Sequence, residues 1–295
     1  MTSSNDAFHA PAGPYQAAGS LSGRTLLVSG GSRGIGLAIA LRAARDGANI
    51  VLMAKTGEPH PKLAGTVYTA AREIEDAGGQ ALPLVGDVRD DGDVARAVSS
   101  AVERFGGIDA LINNASAIDL SNTDDVDMKK YDLMQDINVR GTFLMSKLAL
   151  PALRASDDAH ILTLSPPLNL SPYWAGKHLA YTMAKYGMSL TTLGLAEELK
   201  ADGIKVNSLW PCTLIDTAAI RNMPHGERIA QAARGPEIMA DAAHAVLTGS
   251  NLENGGLPSG NFYTDEAVLT AAGVTDFRPY SLGVPEDRLA PDIFL

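Results

Sequence analysis

Apolar strand-like segments alternate with helical segments about six times along this sequence, and this alternation limits its possible folds more than any other feature. Seven short segments have the apolar character of strands: residues 25–29, 49–54, 81–85, 109–112, 160–164, 204–209 and 261–263. Short apolar strands separated by helices are typical of a parallel sheet that is buried on both faces. The sequence therefore predicts an α/β fold with a Rossmann-like, doubly wound parallel sheet of about seven strands.

No linker or repeat interrupts the alternation, so we expect a single domain over residues 21–295. Residues 1–20 are small and polar, and we expect them to form a mobile tail. Ligands of open α/β sheets bind beyond the carboxyl ends of the strands, so the irregular stretch after the sixth strand predicts a substrate cap within residues 212–258. The stretch from Gly273 onward contains several prolines and glycines, and we expect it to wrap the surface.

The charge balance excludes several classes of protein. The chain has 24 Lys and Arg against 34 Asp and Glu, a formal net charge of −10, whereas nucleic-acid binding needs clustered cations. The single cysteine, Cys212, excludes an internal disulfide, and the six histidines lack a metal-site spacing, so we expect no metal. No segment has the length of a membrane span, and no basic residue precedes Arg24, so we expect a cytoplasmic protein that binds no membrane.

A glycine-rich turn follows the first predicted strand and opens a helix. Glycines permit positive φ angles and let backbone N–H groups approach a pyrophosphate, which the positive end of the helix attracts. We therefore predict that a dinucleotide cofactor is bound by Gly30, Ser32, Arg33, Gly34, Ile35 and Gly36. The pattern also fits the nucleophile elbow of hydrolases, but an elbow requires an oxyanion loop from an earlier strand, and only one strand precedes Ser32. A glycine turn without a ligand is the remaining alternative.

The end of the second strand indicates which dinucleotide is bound. An acidic residue at this position would accept a hydrogen bond from the ribose 2′-hydroxyl of NAD, whereas a cation suits the 2′-phosphate of NADP. Lys55 occupies this position and Arg33 lies in the glycine-rich turn. The sequence therefore predicts NADP(H) as the cofactor.

A tyrosine and a lysine, Tyr181 and Lys185, stand one helical turn apart within a long helical pattern. A cation beside a phenol stabilises the phenolate and lowers the phenol pKa towards the range of a general acid. Tyr173 and Lys177 have the same spacing, but Pro172 and Gly176 predict that their segment is not helical. Tyr181 is therefore the catalytic candidate, and Tyr173 is expected to line the pocket or to pack.

These residues resemble, in order, the motifs of the short-chain dehydrogenase/reductase family over about residues 22–265. The further motifs that carry the resemblance are Asp87-Val88, Asn113-Asn114-Ala115, Asn138, Ser165 and Pro211. The stretches 60–63, 164–170 and 184–189 are similar to one branch of that family. Members of this branch end in a sterol-carrier domain, which we expect this chain to lack.

The resemblance implies a catalytic set. Tyr181 would give a proton to the substrate carbonyl, and Lys185 would lower the tyrosine pKa and hold the nicotinamide ribose. Ser165 would hydrogen-bond the substrate oxygen, with Ser171 as the alternative, and Asn138 would support a water chain to Lys185.

The resemblance also extends the cofactor-binding set beyond the glycine-rich turn. Asp87 and Val88 would lie beside the adenine, and Asn114 beside the adenine ribose. The residues thus predict an NADP-dependent oxidoreductase that acts on a hydrophobic carbonyl or alcohol, such as a steroid-like, fatty or terpenoid molecule.

Two alternatives stay open, a 3-oxoacyl-type reductase and a non-catalytic protein that binds NADP(H) as a sensor. The expected partners are a small hydrophobic substrate and further copies of the chain, as a homodimer or homotetramer. The helices predicted over 129–153 and 179–199 are apolar beyond one narrow stripe, which suits burial between subunits.

Overall fold

The computed structural model describes residues 14–59, 64–222, 225–249 and 256–295. Within these residues the strands form one parallel sheet: β1 (Thr25–Ser29), β2 (Asn49–Ala54), β3 (Gln80–Val85), β4 (Ala110–Asn113), β5 (His160–Thr163), β6 (Lys205–Trp210) and β7 (Phe262–Thr264). Their order is β3-β2-β1-β4-β5-β6-β7, so the chain reverses its direction of travel across the sheet between β1 and β4. The prediction of a doubly wound parallel sheet is confirmed.

Helices cover both faces of the sheet. One layer contains α1 (Gly34–Ala44), α2 (Val67–Asp76), α10 (Glu237–Thr248) and α11 (Asp265–Ala271). The other layer contains α3 (Asp91–Phe105), α4 (Met128–Met134), α5 (Thr142–Leu153) and α7 (Leu179–Glu198). The short helices are α6 (Pro172–Lys177), α8 (Ala218–Arg221) and α9 (Gly226–Ala230).

The two layers enclose two separate hydrophobic cores because successive side chains of a strand point to opposite faces. In β1, Leu26 and Val28 belong to the core beneath α1 and α10, whereas Leu27 belongs to the core beneath α3 and α5. All three side chains are fully buried. A strand of this kind has no polar face, which is why it reads as a continuous apolar run in the sequence.

The long helix predicted over residues 129–153 is interrupted by a wider turn. A π-helical segment, Gln135–Gly141, joins α4 to α5, and it contains Asn138. The side chain of Asn138 is fully buried. Such a segment adds a residue to one turn and is common at functional sites. The prediction of one continuous helix misses it.

The predicted N-terminal tail ends earlier than residue 20. Of that segment the structure describes residues 14–20, and Tyr15 is buried there. Its hydroxyl lies 3.2 Å from Nδ1 of His244 on α10, and the guanidinium of Arg42 lies over its ring. This aromatic anchor fixes the chain before β1, and a small, polar composition does not indicate it.

An ion cluster joins the N-terminal ends of three strands. The carboxylate of Asp158 accepts hydrogen bonds from Nη1 of Arg24 at 2.6 Å and from Nζ of Lys205 at 2.9 Å. Nε2 of His160 lies 3.2 Å from the same carboxylate. These partners stand just before β1 and at the starts of β6 and β5. The hydrogen bond with His160, followed by those with the two cations, holds the pKa of Asp158 far below its ordinary value.

We predict that Asp158→Asn lowers the free energy of unfolding by about 1 kcal/mol at pH 7, the scale of a partly exposed ion cluster. Because the folded-state pKa is lowered, the contribution of Asp158 is complete above the unfolded carboxyl pKa of about 4. It shrinks as the pH falls below that value. Urea unfolding of both proteins between pH 3 and pH 8 measures the difference, and a difference that grows on acidification would contradict the assignment.

Candidate active site

A cavity of about 740 Å³ lies beyond the carboxyl ends of the strands. The residue that immediately follows each of the first six strands lines this cavity. These residues are Gly30, Lys55, Gly86, Asn114, Leu164 and Pro211. Part of the predicted cap region closes one side through apolar residues between positions 214 and 239. The topology therefore brings the predicted site residues to one edge of the sheet, as expected for ligand binding in this architecture.

The glycine-rich turn is packed so tightly that side chains cannot replace its glycines. Gly30 and Gly34 have φ angles of +67° and +58°, in the region that favours glycine. A Cβ atom on Gly36 would lie 2.5 Å from Nδ2 of Asn114 and 2.8 Å from the carbonyl oxygen of Gly30. The turn therefore leaves its backbone uncovered at the start of α1.

Asn114 supports this turn in addition to lining the cavity. Its Nδ2 atom donates to the carbonyl oxygens of Ser29 and Gly30, each at 3.0 Å. The predicted place of Asn114 beside the adenine ribose stays a prediction. The structure shows that its amide nitrogen holds the turn and that the residue lines the cavity.

The other predicted cofactor residues of the turn also line the cavity, except Gly36. The lining members are Ser32, Arg33, Gly34 and Ile35. Nη2 of Arg33 donates to the carbonyl oxygen of Gly65 at 2.7 Å, while its buried Nε has no hydrogen-bond partner. Burial lowers the pKa of this guanidinium. Arg33 therefore has an unused donor inside the cavity wall.

Lys55 and Asp87 form an ion pair at the same end of the cavity. Nζ of Lys55 lies 3.2 Å from Oδ2 of Asp87, which also accepts from the guanidinium of Arg89 at 2.7 Å. The hydrogen bond from Arg89, and then that from Lys55, lowers the pKa of Asp87 to about 2. Val88 follows in the cavity wall. The side chain of Lys55 stays 58% exposed, so its ammonium can still turn towards a ligand.

Tyr181 lies in the first turn of α7 and is only 4% exposed. Its ring stacks on that of Phe294, with the centroids 6.2 Å apart. Burial raises the pKa of Tyr181 above its ordinary value, and the carboxyl group of Asp292 raises it further. A hydrogen bond with the hydroxyl of Ser116 acts in the opposite direction. Tyr181 is thus a proton donor held in an apolar surrounding.

Lys185 lies one turn further along α7, and its side chain is also buried. Its Nζ donates to the carbonyl oxygen of Leu164 at 2.9 Å and lies 5.2 Å from the centroid of the Trp210 ring. Burial lowers the pKa of Lys185 to about 7, against the opposing effect of Asp292. The predicted lowering of the Tyr181 pKa is therefore wrong for this structure. Desolvation dominates for both groups, and a pKa of about 7 leaves Lys185 about half protonated at pH 7.

The structure places Ser165 elsewhere than the sequence predicts. Its side chain is fully buried, and its Oγ lies 2.8 Å from Oγ of Ser208, which donates in turn to Oγ1 of Thr192 at 2.8 Å. Neither Ser165 nor the alternative, Ser171, is among the residues that line the cavity. The geometry does not support the predicted contact of Ser165 with a substrate oxygen, because its hydroxyl belongs to a hydroxyl chain between β5, β6 and α7.

Asn138 holds the loop after β4. Its Oδ1 accepts from the backbone N–H of Ala117 at 2.7 Å, and its Nδ2 donates to the carbonyl oxygen of Ala117 at 3.0 Å. The predicted water chain to Lys185 stays a prediction. The structure shows that Asn138 makes two hydrogen bonds to the backbone of Ala117, the residue that follows Ser116.

Tyr173 and Lys177 do form part of a helix, contrary to the prediction, because Pro172 occupies the first turn of α6, where its missing N–H costs nothing. Nζ of Lys177 donates to the hydroxyl of Tyr173 at 3.2 Å, but the side chain of Tyr173 is 61% exposed. Of the two Tyr-Lys pairs, only Tyr181 and Lys185 are buried at the cavity.

The C-terminal segment covers Tyr181, and the sequence does not predict this cover. Residues 291–293 line the cavity, and Phe294 is packed among Trp174, Tyr181, Tyr186 and Trp210. Nε1 of Trp210 donates to the carbonyl oxygen of Ile293 at 3.0 Å. The segment from Gly273 therefore does more than wrap the surface. The only signal in the sequence is the apolar run that follows Asp292.

A metal-binding cluster and a membrane-spanning helix are both absent from the described residues. The described residues contain no group of three His, Cys, Asp or Glu side chains suited to a metal ion. Among the same residues, no helix has both the length and the apolar character needed to cross a bilayer. The residues at 60–63 that contribute to the sequence resemblance lie outside the described part of the chain.

A family model described as "short chain dehydrogenase" matches residues 24–228. This span contains the glycine-rich turn, Asn114, Asn138, Tyr181 and Lys185. The chain belongs to the short-chain dehydrogenase family. The resemblance carried by the sequence motifs is thereby confirmed.

The curated relatives of this family member include hydroxysteroid dehydrogenase-like protein 2 from Xenopus laevis, which is 56% identical over 277 residues, and the same protein from Homo sapiens, which is 52% identical over 277 residues. The match covers 94% of this chain and 64% of each relative. The chain thus spans less than two thirds of the length of these relatives.

Solved structures show the same fold. A putative dehydrogenase from Xanthomonas campestris is 50% identical, with a TM-score of 0.86 over 94% of this chain and 99% of that one. A short-chain dehydrogenase from Mycobacterium thermoresistibile is 52% identical, also with a TM-score of 0.86, over 94% of this chain and 96% of that one. More distantly, L-sorbose reductase from Gluconobacter frateurii, solved with NADPH and L-sorbose, is 26% identical, with a TM-score of 0.71 over 83% of this chain and 95% of that one.

We predict that Gly36→Ala weakens dinucleotide binding at least about tenfold and lowers the free energy of unfolding by about 1–3 kcal/mol. The added Cβ would overlap the amide of Asn114 and the backbone of Gly30, so the turn must shift. Fluorescence titration with NADPH and thermal unfolding measure the two effects. Gly194→Ala on α7 is the matched control, because its Cβ would meet open space. Equal binding by the two variants would contradict the prediction.

Proposed function

We propose that this chain is an NADP(H)-dependent reductase or dehydrogenase that transfers hydride between nicotinamide and a hydrophobic carbonyl or alcohol. The observation that carries the proposal is the position of Tyr181 and Lys185, buried together at one end of a cavity whose other end holds Arg33 and Lys55. A proton donor and a cationic phosphate site within one cavity suit a reaction between a dinucleotide and a carbonyl.

The residues fit a bound dinucleotide. A Cβ atom on Gly30 or Gly36 would overlap Asn114, so the turn keeps a bare backbone against the β4 loop, and α1 begins at this turn with its positive end. Arg33 carries a buried Nε without a partner in the same wall. We infer that the turn holds the pyrophosphate and that Asp87 and Val88 flank the adenine.

The preference for NADP(H) over NAD(H) is inferred from charge. Arg33 and Lys55 line the cavity where the second strand ends, and the acidic residue nearby, Asp87, is already paired with Lys55 and Arg89. A 2′-phosphate would find two cations there, whereas a ribose 2′-hydroxyl would find no free carboxylate. The NADPH complex of L-sorbose reductase shows that a relative with this fold accepts that cofactor.

The substrate end of the cavity favours an apolar molecule. Its walls near Tyr181 include large apolar side chains from four separate segments of the chain: Ile118, Leu120, Trp210, Leu214, Ile229 and Ile293. Burying apolar substrate surface against such walls is favourable by about 25 cal/mol per Å². We infer a substrate with a sizeable hydrocarbon part, such as a steroid-like, fatty or terpenoid molecule.

The step that the chain's own residues carry out is the transfer of one proton from Tyr181. When bound, the dinucleotide supplies or accepts hydride at the substrate carbon. Tyr181 donates its phenolic proton to the carbonyl oxygen, which gains basicity as the hydride arrives. The apolar cover formed by Phe294 and Trp210 excludes water, so the proton comes from Tyr181.

Lys185 influences the ionisation of the Tyr181 phenol. In the ammonium form it stabilises the phenolate left on Tyr181, and its own pKa near 7 allows it to pass a proton on. Its hydrogen bond to the carbonyl oxygen of Leu164 fixes its position between β5 and α7. The carboxyl group of Asp292, whose pKa burial raises to about 7, lies near this pair and favours the charged form of Lys185.

We also propose that this chain acts as a homodimer or homotetramer. On α5 and α7 several large apolar side chains are exposed, among them Phe143 at 53% and Leu190 at 58%. Exposed apolar side chains on two neighbouring helices support burial against another copy.

We predict that Tyr181→Phe lowers kcat by about 10²–10⁴-fold, the usual contribution of a positioned general acid, and leaves the NADPH dissociation constant within about threefold. NADPH oxidation is followed with a panel of aliphatic ketones, cyclic ketones and 3-oxoacyl thioesters. Activity confined to the thioesters would favour the 3-oxoacyl reductase alternative.

Tyr173→Phe is the matched control, because it removes an exposed hydroxyl on the other Tyr-Lys pair. It should turn over like the wild type. Full activity in Tyr181→Phe would overturn the mechanism. A wild-type chain that binds NADPH but oxidises it with no member of the panel would instead indicate a cofactor sensor.

We predict that Lys55→Ala weakens NADPH binding roughly fivefold to tenfold and leaves NADH binding unchanged, because one charge-assisted contact to the 2′-phosphate is lost. Titration of both cofactors gives the two dissociation constants. Lys129→Ala removes an exposed lysine of α4 that does not line the cavity, and it should alter neither constant. Equal weakening of NADPH and NADH by Lys55→Ala would contradict the proposed NADP preference.

A further inference from the structure

Hydride addition to a carbonyl builds negative charge on its oxygen, and two hydrogen-bond donors stabilise that charge better than one. Tyr181 is one donor. The serine predicted as the second, Ser165, is joined to Ser208 in a buried hydroxyl chain and does not line the cavity. On the proposed function, the site therefore needs a second donor from another element.

Ser116 is the hydroxyl that meets this need. It follows β4, its side chain is exposed, and it lines the cavity together with Tyr181. Its hydroxyl makes only a long hydrogen bond, 3.4 Å, to the carbonyl oxygen of Ala117, and it lowers the pKa of Tyr181 through a hydrogen bond. The other hydroxyl-bearing residues of the cavity wall, apart from Tyr181 itself, are Ser32 and Thr56 in the turns after β1 and β2, and Thr217 beside α8. None of these three shifts the pKa of Tyr181.

The loop that carries Ser116 is held on both sides. The backbone N–H groups of Asn114 and Ala115 donate to Oγ of Ser29 at 3.0 and 3.1 Å. On the other side, Asn138 makes its two hydrogen bonds to the backbone of Ala117. Such a fixed backbone is what a preorganised donor requires, since it does not reorganise when charge develops.

We propose that Ser116 is a catalytic residue that donates a hydrogen bond to the substrate oxygen beside Tyr181, in the role that the sequence assigns to Ser165. Asn138 is then a positioning residue, which acts through the backbone of Ala117. In the reduction, Tyr181 supplies the proton of the new alcohol. Ser116 neither gains nor loses a proton over the reaction. This inference rests on the proposed function.

The test compares Ser116→Ala, Ser116→Thr and Ser165→Ala with the wild type, using the ketone of the panel that the wild type reduces fastest. Loss of an oxyanion donor predicts a kcat about 100-fold lower in Ser116→Ala. Ser116→Thr keeps the hydroxyl and should retain at least about a tenth of the wild-type kcat. Ser165→Ala should keep kcat within about threefold but unfold at a lower temperature, because it breaks a buried hydroxyl chain.

A second readout separates this role from a structural one. The Ser116 hydroxyl stabilises negative charge at the oxygens beside it, so Ser116→Ala should move the pH at which alcohol oxidation reaches its plateau to a higher value. Ser165→Ala, which changes only a buried hydroxyl chain, should leave that pH unmoved.

Two results would overturn the inference. One is a wild-type kcat and an unshifted pH profile in Ser116→Ala. The other is a 100-fold loss of kcat in Ser165→Ala without loss of folding, since that would return the role to Ser165. A wild type that reduces no member of the panel would overturn the proposed function, and this inference with it.

Discussion

The parallel pairing of β1 with β4 is the constraint on which the rest of the site depends. It is the point where the chain reverses its direction across the sheet, so the turns after these two strands diverge and leave a crevice between them. The side-chain amide of Asn114 joins the two turns, because it donates hydrogen bonds to the carbonyl oxygens of Ser29 and Gly30. Because the glycine-rich turn rests on the β4 loop, one rigid unit carries both the proposed phosphate cradle and Ser116.

Desolvation governs the chemistry of the reactive pair. Tyr181 and Lys185 are both buried, and burial moves each pKa towards the neutral form, upwards for the phenol and downwards for the ammonium. The sequence spacing alone suggests a cation that acidifies a phenol. The structure shows two groups whose charged forms are both costly, and the carboxyl group of Asp292 favours the charged form of the lysine.

The sheet and the cofactor turn could be predicted because each rests on a local signal: a continuous apolar run for a strand, and a glycine where φ is positive. Tyr181 and Lys185 could be predicted because one helix holds both. Ser165 could not be placed in this way. The direction of its hydroxyl depends on a hydrogen bond with Ser208, which is distant in the sequence. The π-helical turn at Asn138 is likewise missed, because the sequence predicts one continuous helix there, over residues 129–153.

The segment at residues 291–294 shows how a cover of the site also sets its electrostatics. Phe294 stacks on Tyr181 and contacts Trp210, and this packing removes the phenol from water. The same segment brings Asp292 towards Lys185 and so places one carboxyl group in an otherwise apolar wall. The two effects oppose each other at the lysine, because burial disfavours its charge and the carboxylate favours it. The segment that buries Tyr181 is thus also the element that shifts the pKa values of both Tyr181 and Lys185.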